Sequence, residues 1–354
     1  MRNASGGPQM GVCIASLSLG WGFGGLELTT RLSEELGADA EVLLIHKADG
    51  FVFGFFKLDV MFGRTVAEAV RHPYSDLAKP GVRFVQATVQ GIDPVARGVE
   101  TDAGYVDGDV MVLALGAGLD PGATPGLAEG GHEFYTLARA FAARDLLARF
   151  RGGRVVVGVT STLFKCPPAT ERDGIVGARL PRTARFARSE VSLVMPFGHP
   201  IPPSPTASAA LLAFEERGII WHLERAVRVL EPGRGAVVLS DGKEVPHDLF
   251  LGVPVHRAPA VVEESSMCVD GWIPVNPSTL EMTMPGVYAV GDVTSVGTPK
   301  AGVRAEGQAA VVAAAVIAQH RGLPTSETYD GRGICYVEFG HGPDRTCRRH
   351  LSRQ

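Results

Sequence analysis

The chain has 354 residues and a formal net charge of −4 at pH 7, with 45% apolar and 20% charged residues. That balance excludes a disordered chain and a polycation built for nucleic acid, and the length suggests two or three domains. Five cysteines (Cys13, Cys166, Cys268, Cys335 and Cys347) are too few and too scattered for a disulfide scaffold, and none forms the CxxC pair of a zinc ribbon.

Val12–Leu19 is an apolar run that leads into Gly20-Trp21-Gly22-Phe23-Gly24-Gly25, so it reads as a buried strand rather than a signal peptide. Leu26–Leu36 carries helical apolar spacing, with Gly37 placed to end it, and Val42–Ile45 is a second short strand. Together they make a β-α-β unit of the length a parallel connection needs. Gly20, Gly22 and Gly25 satisfy G-x-G-x-x-G between the predicted strand and helix. The first glycine permits the turn, the second lets a pyrophosphate approach, and the third allows close helix–strand packing. The helix N-terminus adds unpaired N–H groups and partial positive charge. Phe23 and Gly24 complete the loop as nucleotide-binding candidates. A carboxylate is expected at the end of the second strand for the ribose hydroxyls, but the sequence there reads Ile45-His46-Lys47-Ala48-Asp49. His46 holds that slot, with Lys47 beside it. Either the imidazole hydrogen-bonds a hydroxyl, or Asp49 reaches back, or His46 is an ordinary strand-end residue.

Further strands are expected at Val82–Val85, Val99–Thr101 and Val110–Leu115, the last closing on Leu115-Gly116-Ala117-Gly118, which makes Gly116 another cofactor-contact candidate. A second unit follows the Gly/Pro-rich stretch Gly118–Gly126. It opens with a predicted helix over Phe134–Phe150 and a strand over Arg154–Val159, and Val191–Met195, Val237–Leu239 and Leu249–Val253 suit the same sheet. After Val159 the loop reads Thr160-Ser161-Thr162-Leu163-Phe164-Lys165-Cys166-Pro167-Pro168. It has no glycine cradle and its prolines lack N–H donors, so no classical nicotinamide site is expected. Glu171–Arg188, where a crossover helix is due, contains Gly174, Gly177, Pro181 and five arginines and reads as a solvated loop or weak helix rather than an anion site. Gly286-Val287-Tyr288-Ala289-Val290-Gly291-Asp292 is a strand ending in an acidic residue, followed by Thr298-Pro299-Lys300-Ala301-Gly302 and a helix over Ala305–His320. The longest apolar stretch, Ala309–Ala318, falls well short of the ~20 residues of a spanning helix. The tail His341–Gln354 is polar and basic and is expected to fray.

The N-terminal glycine loop, the Gly286–Asp292 block and Thr298–Gly302 together resemble the two-dinucleotide-fold flavoproteins, the FAD-dependent pyridine nucleotide-disulfide oxidoreductase superfamily. The resemblance implies an α/β fold with two Rossmann-like domains. The FAD-binding domain would cover 9–118 and 259–322, a second, NAD-domain-like unit 119–258, and a C-terminal segment 323–354. It implies FAD, with Gly291 and Asp292 at the ribityl chain, and with Lys300, Ala301 and Gly302 opening a helix aimed at the N1/O2 edge of the flavin. Cys166-Pro167-Pro168 and Gly333-Ile334-Cys335-Tyr336 are similar to the sulfide:quinone oxidoreductase and flavocytochrome c sulfide dehydrogenase branch. That branch pairs one cysteine of the second domain with one of the C-terminal segment beside the flavin. The resemblance therefore makes Cys166 and Cys335 the catalytic candidates, sulfide or a related sulfur species the substrate, and a quinone the acceptor.

Neither His46–Phe56 nor Gly118–Gly131 holds the further cysteine that carries a covalent flavin link in some members, so noncovalent FAD is expected. Cys13, Cys268 and Cys347 read as incidental. Lys165 would favour a Cys166 thiolate, and His199, His256 and Glu306 are candidate proton carriers. No metal and no nucleic-acid partner is expected. The expected location is cytoplasmic, with peripheral membrane contact and a homodimer left open. Two alternatives remain: a type II NADH:quinone dehydrogenase-like enzyme, and a degenerate, non-catalytic flavin-binding protein.

Overall fold

The computed structural model describes residues 14–20, 22–54, 56–77, 79–165, 189–199, 211–212, 214–337 and 348–352. In chain order its principal parallel strands are β1 (Ile14–Leu19), β2 (Ala40–His46), β3 (Val82–Gln86), β4 (Val110–Leu113), β5 (Arg154–Val159), β6 (Glu190–Val194), β7 (Leu249–Val253) and β8 (Val287–Ala289). The helices used below are α1 (Phe23–Leu36), α2 (Phe56–Met61), α3 (Leu137–Arg149) and α4 (Gly302–Arg321).

Two five-stranded sheets organise these elements. The first runs β8-β4-β1-β2-β3, and the second runs from a short strand at His132–Glu133 through β7, β5 and β6 to Ile220–His222. Every neighbouring pair in both sheets is parallel. Parallel sheets bury both faces, which is why β4, β5 and β7 read as nearly unbroken apolar runs. The chain thus builds four strands of the first sheet, leaves to form the second, and returns to add β8.

One face of the first sheet is covered by α1 and α4. Leu28, Leu32 and Leu36 of α1 pack with Val311, Val312 and Val316 of α4 over Val42, Val110 and Val112. Leu32 is fully buried in this layer. Leu32→Ala is therefore expected to destabilise the fold by about 2–5 kcal/mol, read as a lower urea midpoint at unchanged slope.

Several elements differ from the sequence expectation. The predicted helix over Phe134–Phe150 starts only at Leu137. Glu133 takes the backbone N–H groups of Tyr135 and Thr136, and the Thr136 hydroxyl caps the helix by accepting from Arg139 N at 3.3 Å. The last long helix extends beyond Ala305–His320 to Gly302–Arg321 and stops at Gly322, whose φ is +65°. Val237–Leu239 does not join the second sheet. It lies in an antiparallel meander with Val227–Glu231 and Glu244–Pro246, because a tight turn at Ser240–Lys243 returns the chain directly onto itself. Val99–Thr101 sits in a similar meander between Val89–Asp93 and Gly104–Asp107. Within the tail, Arg348–Ser352 pairs antiparallel with Gly333–Val337, so these five residues are tied down by backbone bonds rather than frayed. Glu171–Arg188 lies outside the described residues.

Candidate active site

At the end of β1, the Gly20 N–H donates to the Ile45 carbonyl at 3.0 Å, and Gly20 takes φ +97°. A Cβ there would lie 2.5 Å from the Ala114 carbonyl oxygen, so glycine is required by the close approach of the β1 and β4 ends. Gly22 is the N-cap residue of α1, and a Cβ on it would meet nothing within 4 Å. The positive end of α1 therefore faces open space where backbone can approach a ligand. A Cβ on Gly24 would lie 3.0 Å from Val290 Cγ2, and Gly25 is buried beside it. The tight contact with β8 thus falls on Gly24. The Phe23 ring covers Gly302 and meets Phe51 and Phe53 edge-on at 5.3 and 5.2 Å. That contact brings the N-termini of α1 and α4 together. Gly116, with φ +69° and no neighbour that a Cβ would strike, follows β4 on the same side.

His46 is half-buried at the end of β2. Its Nδ1 accepts the Ala48 N–H at 3.0 Å, and its ring stands edge-on to Tyr74. Burial, helped by Lys47, lowers its pKa against the opposing Ala48 backbone contact, so the imidazole is neutral, with Nδ1 engaged by Ala48 and Nε2 left for a ligand. Asp49 does not reach back, because it is paired with Arg71. Lys47 is exposed.

The Gly291–Asp292 turn is held at several points. Its Gly291 N–H donates to Gln308 Oε1 at 2.6 Å, and the Thr294 hydroxyl donates to the Gly291 carbonyl at 3.0 Å. Lys300 Nζ donates to the Asp292 and Thr294 carbonyls at 2.7 and 2.8 Å, and its ammonium lies 3.3 Å from the centre of the Trp272 ring. Among the described residues, nothing donates to the Asp292 carboxylate. Burial pushes its pKa up, and Lys165, Lys300 and Lys57 pull it back. A carboxylate of this kind offers only acceptor sites, the complement of a polyol chain. Together with Gly22 at the α1 N-terminus, these residues fit a flavin dinucleotide.

The second sheet contributes the loop after β5. Thr160 donates to the Val253 carbonyl through both its N–H (3.2 Å) and its hydroxyl (3.0 Å). The chain then crosses to the first domain, where Lys165 forms a parallel backbone bridge with Lys300. Lys165 Nζ donates to the Ala117 carbonyl at 2.9 Å, and Lys57 Nζ donates to the Tyr135 carbonyl at 2.7 Å. The Tyr135 hydroxyl in turn donates to the Lys165 carbonyl at 3.0 Å. Burial holds all three amines below the usual lysine range, Lys57 and Lys300 at about 8. His256 packs edge-on to Tyr135 and hydrogen-bonds the Pro254 carbonyl at 2.8 Å through Nδ1. Burial and the charges of Lys165 and Lys300 push it down to about 3, so it stays neutral near pH 7 and does not carry protons there.

Cys166 lies outside the described residues, as do Cys13 and Cys347. Cys335 is on Gly333–Val337, which is placed through its backbone. Cys268 is a half-buried free thiol whose pKa is raised by burial and by Glu263, the profile of an unreactive side chain. Glu306 is half-buried on α4, with its pKa raised by burial and by Glu27, and His199 is half-buried on the segment after β6. Among the described residues no cluster of His, Cys, Asp and Glu suits a metal, and no helix is long and apolar enough to cross a membrane. Sequence reasoning missed Lys57, Tyr135 and Gln308. The only sequence signal for Lys57 is a single charge in the apolar run Phe55-Phe56-Lys57-Leu58.

The profile of the pyridine nucleotide-disulphide oxidoreductase family matches residues 18–316, from the end of β1 through most of α4. The chain belongs to this family. It is a flavoprotein oxidoreductase, and its two parallel sheets are the Rossmann-type domains of that fold. This pyridine nucleotide-disulphide oxidoreductase is 27% identical over 353 residues to the sulfide-quinone reductase of Aquifex aeolicus, covering 91% of this chain and 80% of the relative. The crystal structure of the sulfide:quinone oxidoreductase from Aquifex aeolicus superposes with a TM-score of 0.84 at 22% identity, over 96% of this chain and 87% of that one. A shorter match, 39% identical over 102 residues, links it to the type II NADH:quinone oxidoreductase of Staphylococcus saprophyticus, covering 28% of this chain and 25% of that protein.

Proposed function

We propose that the protein is an FAD-dependent oxidoreductase that oxidises sulfide, or a related small sulfur species, through Cys166 and Cys335 and passes the electrons to a quinone. The observation that carries this reading is the path of the loop after β5. It ends in a backbone bridge from Lys165 to Lys300, one residue before Cys166 and at the start of α4. The bridge brings Lys165, the residue before Cys166 in the sequence, to Lys300, which itself holds the Asp292 turn where the flavin end of the cofactor would belong. Hydrosulfide attacks one sulfur of the Cys166–Cys335 disulfide, so a new S–S bond forms as the old one breaks, and the second sulfur leaves as thiolate. Joining of the persulfide and the thiolate in a new S–S bond releases one proton and two electrons, which noncovalently held FAD would accept and hand to the quinone, itself taking up two protons to become quinol. The substrate sulfur ends two electrons more oxidised.

The chain's own residues bind and orient. Backbone N–H groups at the α1 N-terminus take the pyrophosphate next to Gly22, with Gly20, Phe23, Gly24 and Gly25 shaping the loop and Gly116 flanking it. His46 presents its Nε2 to a ribose hydroxyl in place of the usual carboxylate acceptor. Asp292 accepts from the ribityl hydroxyls, and Gly291, Lys300, Ala301 and Gly302 aim the α4 N-terminus at the flavin edge. A quinone acceptor implies peripheral contact with a membrane face, which we assign to the cytoplasmic side.

The type II NADH:quinone oxidoreductase match favours a second reading, in which NADH is the reductant. The loop from Thr160 to Lys165 opposes it, because it is tied to Val253 and Lys300 rather than opening a glycine cradle. Anaerobic spectra separate the two. Sulfide is expected to bleach the yellow protein within turnover time and NADH is not. Bleaching by NADH alone would select the second reading, and a colourless folded protein would remove both.

A further inference from the structure

Lys57 on α2 and Lys165 on the loop after β5 approach from different domains and are braced by one residue. Tyr135 accepts from Lys57 Nζ through its carbonyl and donates to the Lys165 carbonyl through its hydroxyl, and its ring centre lies 5.9 Å from Lys165 Nζ. Tyr135 is itself buried and fixed by the bond from its N–H to Glu133.

Each ammonium has three donors. Among the described residues, Lys57 and Lys165 each spend one, on a backbone carbonyl, and neither forms an ion pair. Lys300, the third amine, is fully engaged by two carbonyls and the Trp272 face. Among the described residues charge is unbalanced as well: Lys57, Lys165 and Lys300 act on Asp292, Glu133 acts on Lys57 and Lys165, and His256 adds nothing because it is neutral. Glu133 is already committed to the Tyr135 and Thr136 N–H groups and the Thr136 hydroxyl. The excess of one positive charge therefore rests on Lys57 and Lys165, whose side chains are half-buried and still reachable. Uncompensated charge removed from water is costly, and a bound monoanion restores the balance.

We propose that Lys57 and Lys165, with Tyr135 as their positioning residue, form a binding site for a small, soft monoanion; on the sulfide-oxidising reading above, that anion is hydrosulfide. Burial of the two amines favours a weakly hydrated anion over a strongly hydrated one. Lys165 immediately precedes Cys166 in the sequence. The depressed pKa of Lys57 sets the pH limit. Lys165 lowers it while Glu133 and Asp292 raise it, and above about pH 8 the amine loses its proton and anion affinity falls.

The test uses the holoprotein labelled with [ε-13C]lysine, with Lys57→Met and Lys165→Met assigning the resonances and sodium thiocyanate as a non-reducing probe against sodium chloride at equal ionic strength. Thiocyanate is expected to shift both resonances saturably, to raise the pKa of Lys57, and to bind about tenfold more weakly to either variant. On sulfide the same variants are expected to lose about tenfold in KM with a much smaller change in kcat. Retained yellow colour and cooperative unfolding establish that the variants are folded. Unmoved resonances, or variants that bind thiocyanate like the parent, overturn the anion site whatever the substrate proves to be. Thiocyanate binding as described in a protein that does not oxidise sulfide keeps the site and removes hydrosulfide as its ligand. Sulfide turnover with unchanged KM in both variants leaves the sulfide reading intact and overturns the assignment of these lysines.

Discussion

Replacing Cys166 by serine is expected to lower sulfide-dependent reduction of the flavin by about 10³-fold or more while the protein remains yellow. In the proposed mechanism a serine oxygen would neither form the disulfide nor leave as a thiolate, so hydrosulfide would meet no electrophilic sulfur. Cofactor retention is expected because the Asp292 turn is held by its own bonds to Gln308, Thr294 and Lys300. Cys335→Ser is expected to match it, and the double variant to add little, because two sulfurs that act as one redox unit are not additive. The measurement is anaerobic stopped-flow bleaching by sulfide, with dithionite as the control that the flavin still accepts electrons. Normal bleaching in either single variant removes the cysteine pair from the mechanism.

The parts of this site legible in the sequence are those in which a local backbone requirement selects a residue type. Gly20 needs a positive φ, Gly24 needs the absence of a side chain, and Asp292 ends an apolar strand, so each leaves a mark within a few positions. The parallel strands are legible for a related reason, since burial on both faces removes polar residues from β4, β5 and β7. What was not legible depends on contacts across long sequence separations. Lys57 and Tyr135 are 78 positions apart and Lys165 reaches back to Ala117 across 48, and no local pattern announces such pairs. Placing Val237–Leu239 failed for a different reason. Its apolar run is compatible with either sheet type, and the short turn that follows decides the matter. His46 shows the limit of motif transfer: position alone made it a ribose candidate, and only the structure reveals that Ala48 engages Nδ1 and leaves Nε2 as the free ring atom.

Gly22→Val is expected to yield a folded but colourless protein, and the contrast with Gly20→Ala makes that outcome specific. At Gly22 the backbone is extended, with φ −83° and ψ −161°, and among the described residues a Cβ would meet no atom within 4 Å beyond its chain neighbours. Valine therefore fits the polypeptide, and the unliganded fold loses only about 1 kcal/mol from the weaker N-cap. The added methyl groups occupy the space before the α1 N-terminus, where a pyrophosphate must come within hydrogen-bond distance of backbone. Losing two charge-assisted bonds there corresponds to about 3–6 kcal/mol, or about 10²–10⁴-fold in FAD affinity. At Gly20 the balance is reversed. Alanine would have to hold φ +97° with its Cβ 2.5 Å from the Ala114 carbonyl oxygen, so the cost, about 2–5 kcal/mol, falls on the fold with or without FAD. Urea unfolding of the apoproteins and FAD titration by fluorescence quenching read the two quantities separately. If Gly22→Val binds FAD as the parent does, the dinucleotide does not lie across the end of α1. If it unfolds like Gly20→Ala, the open space at that position is not open.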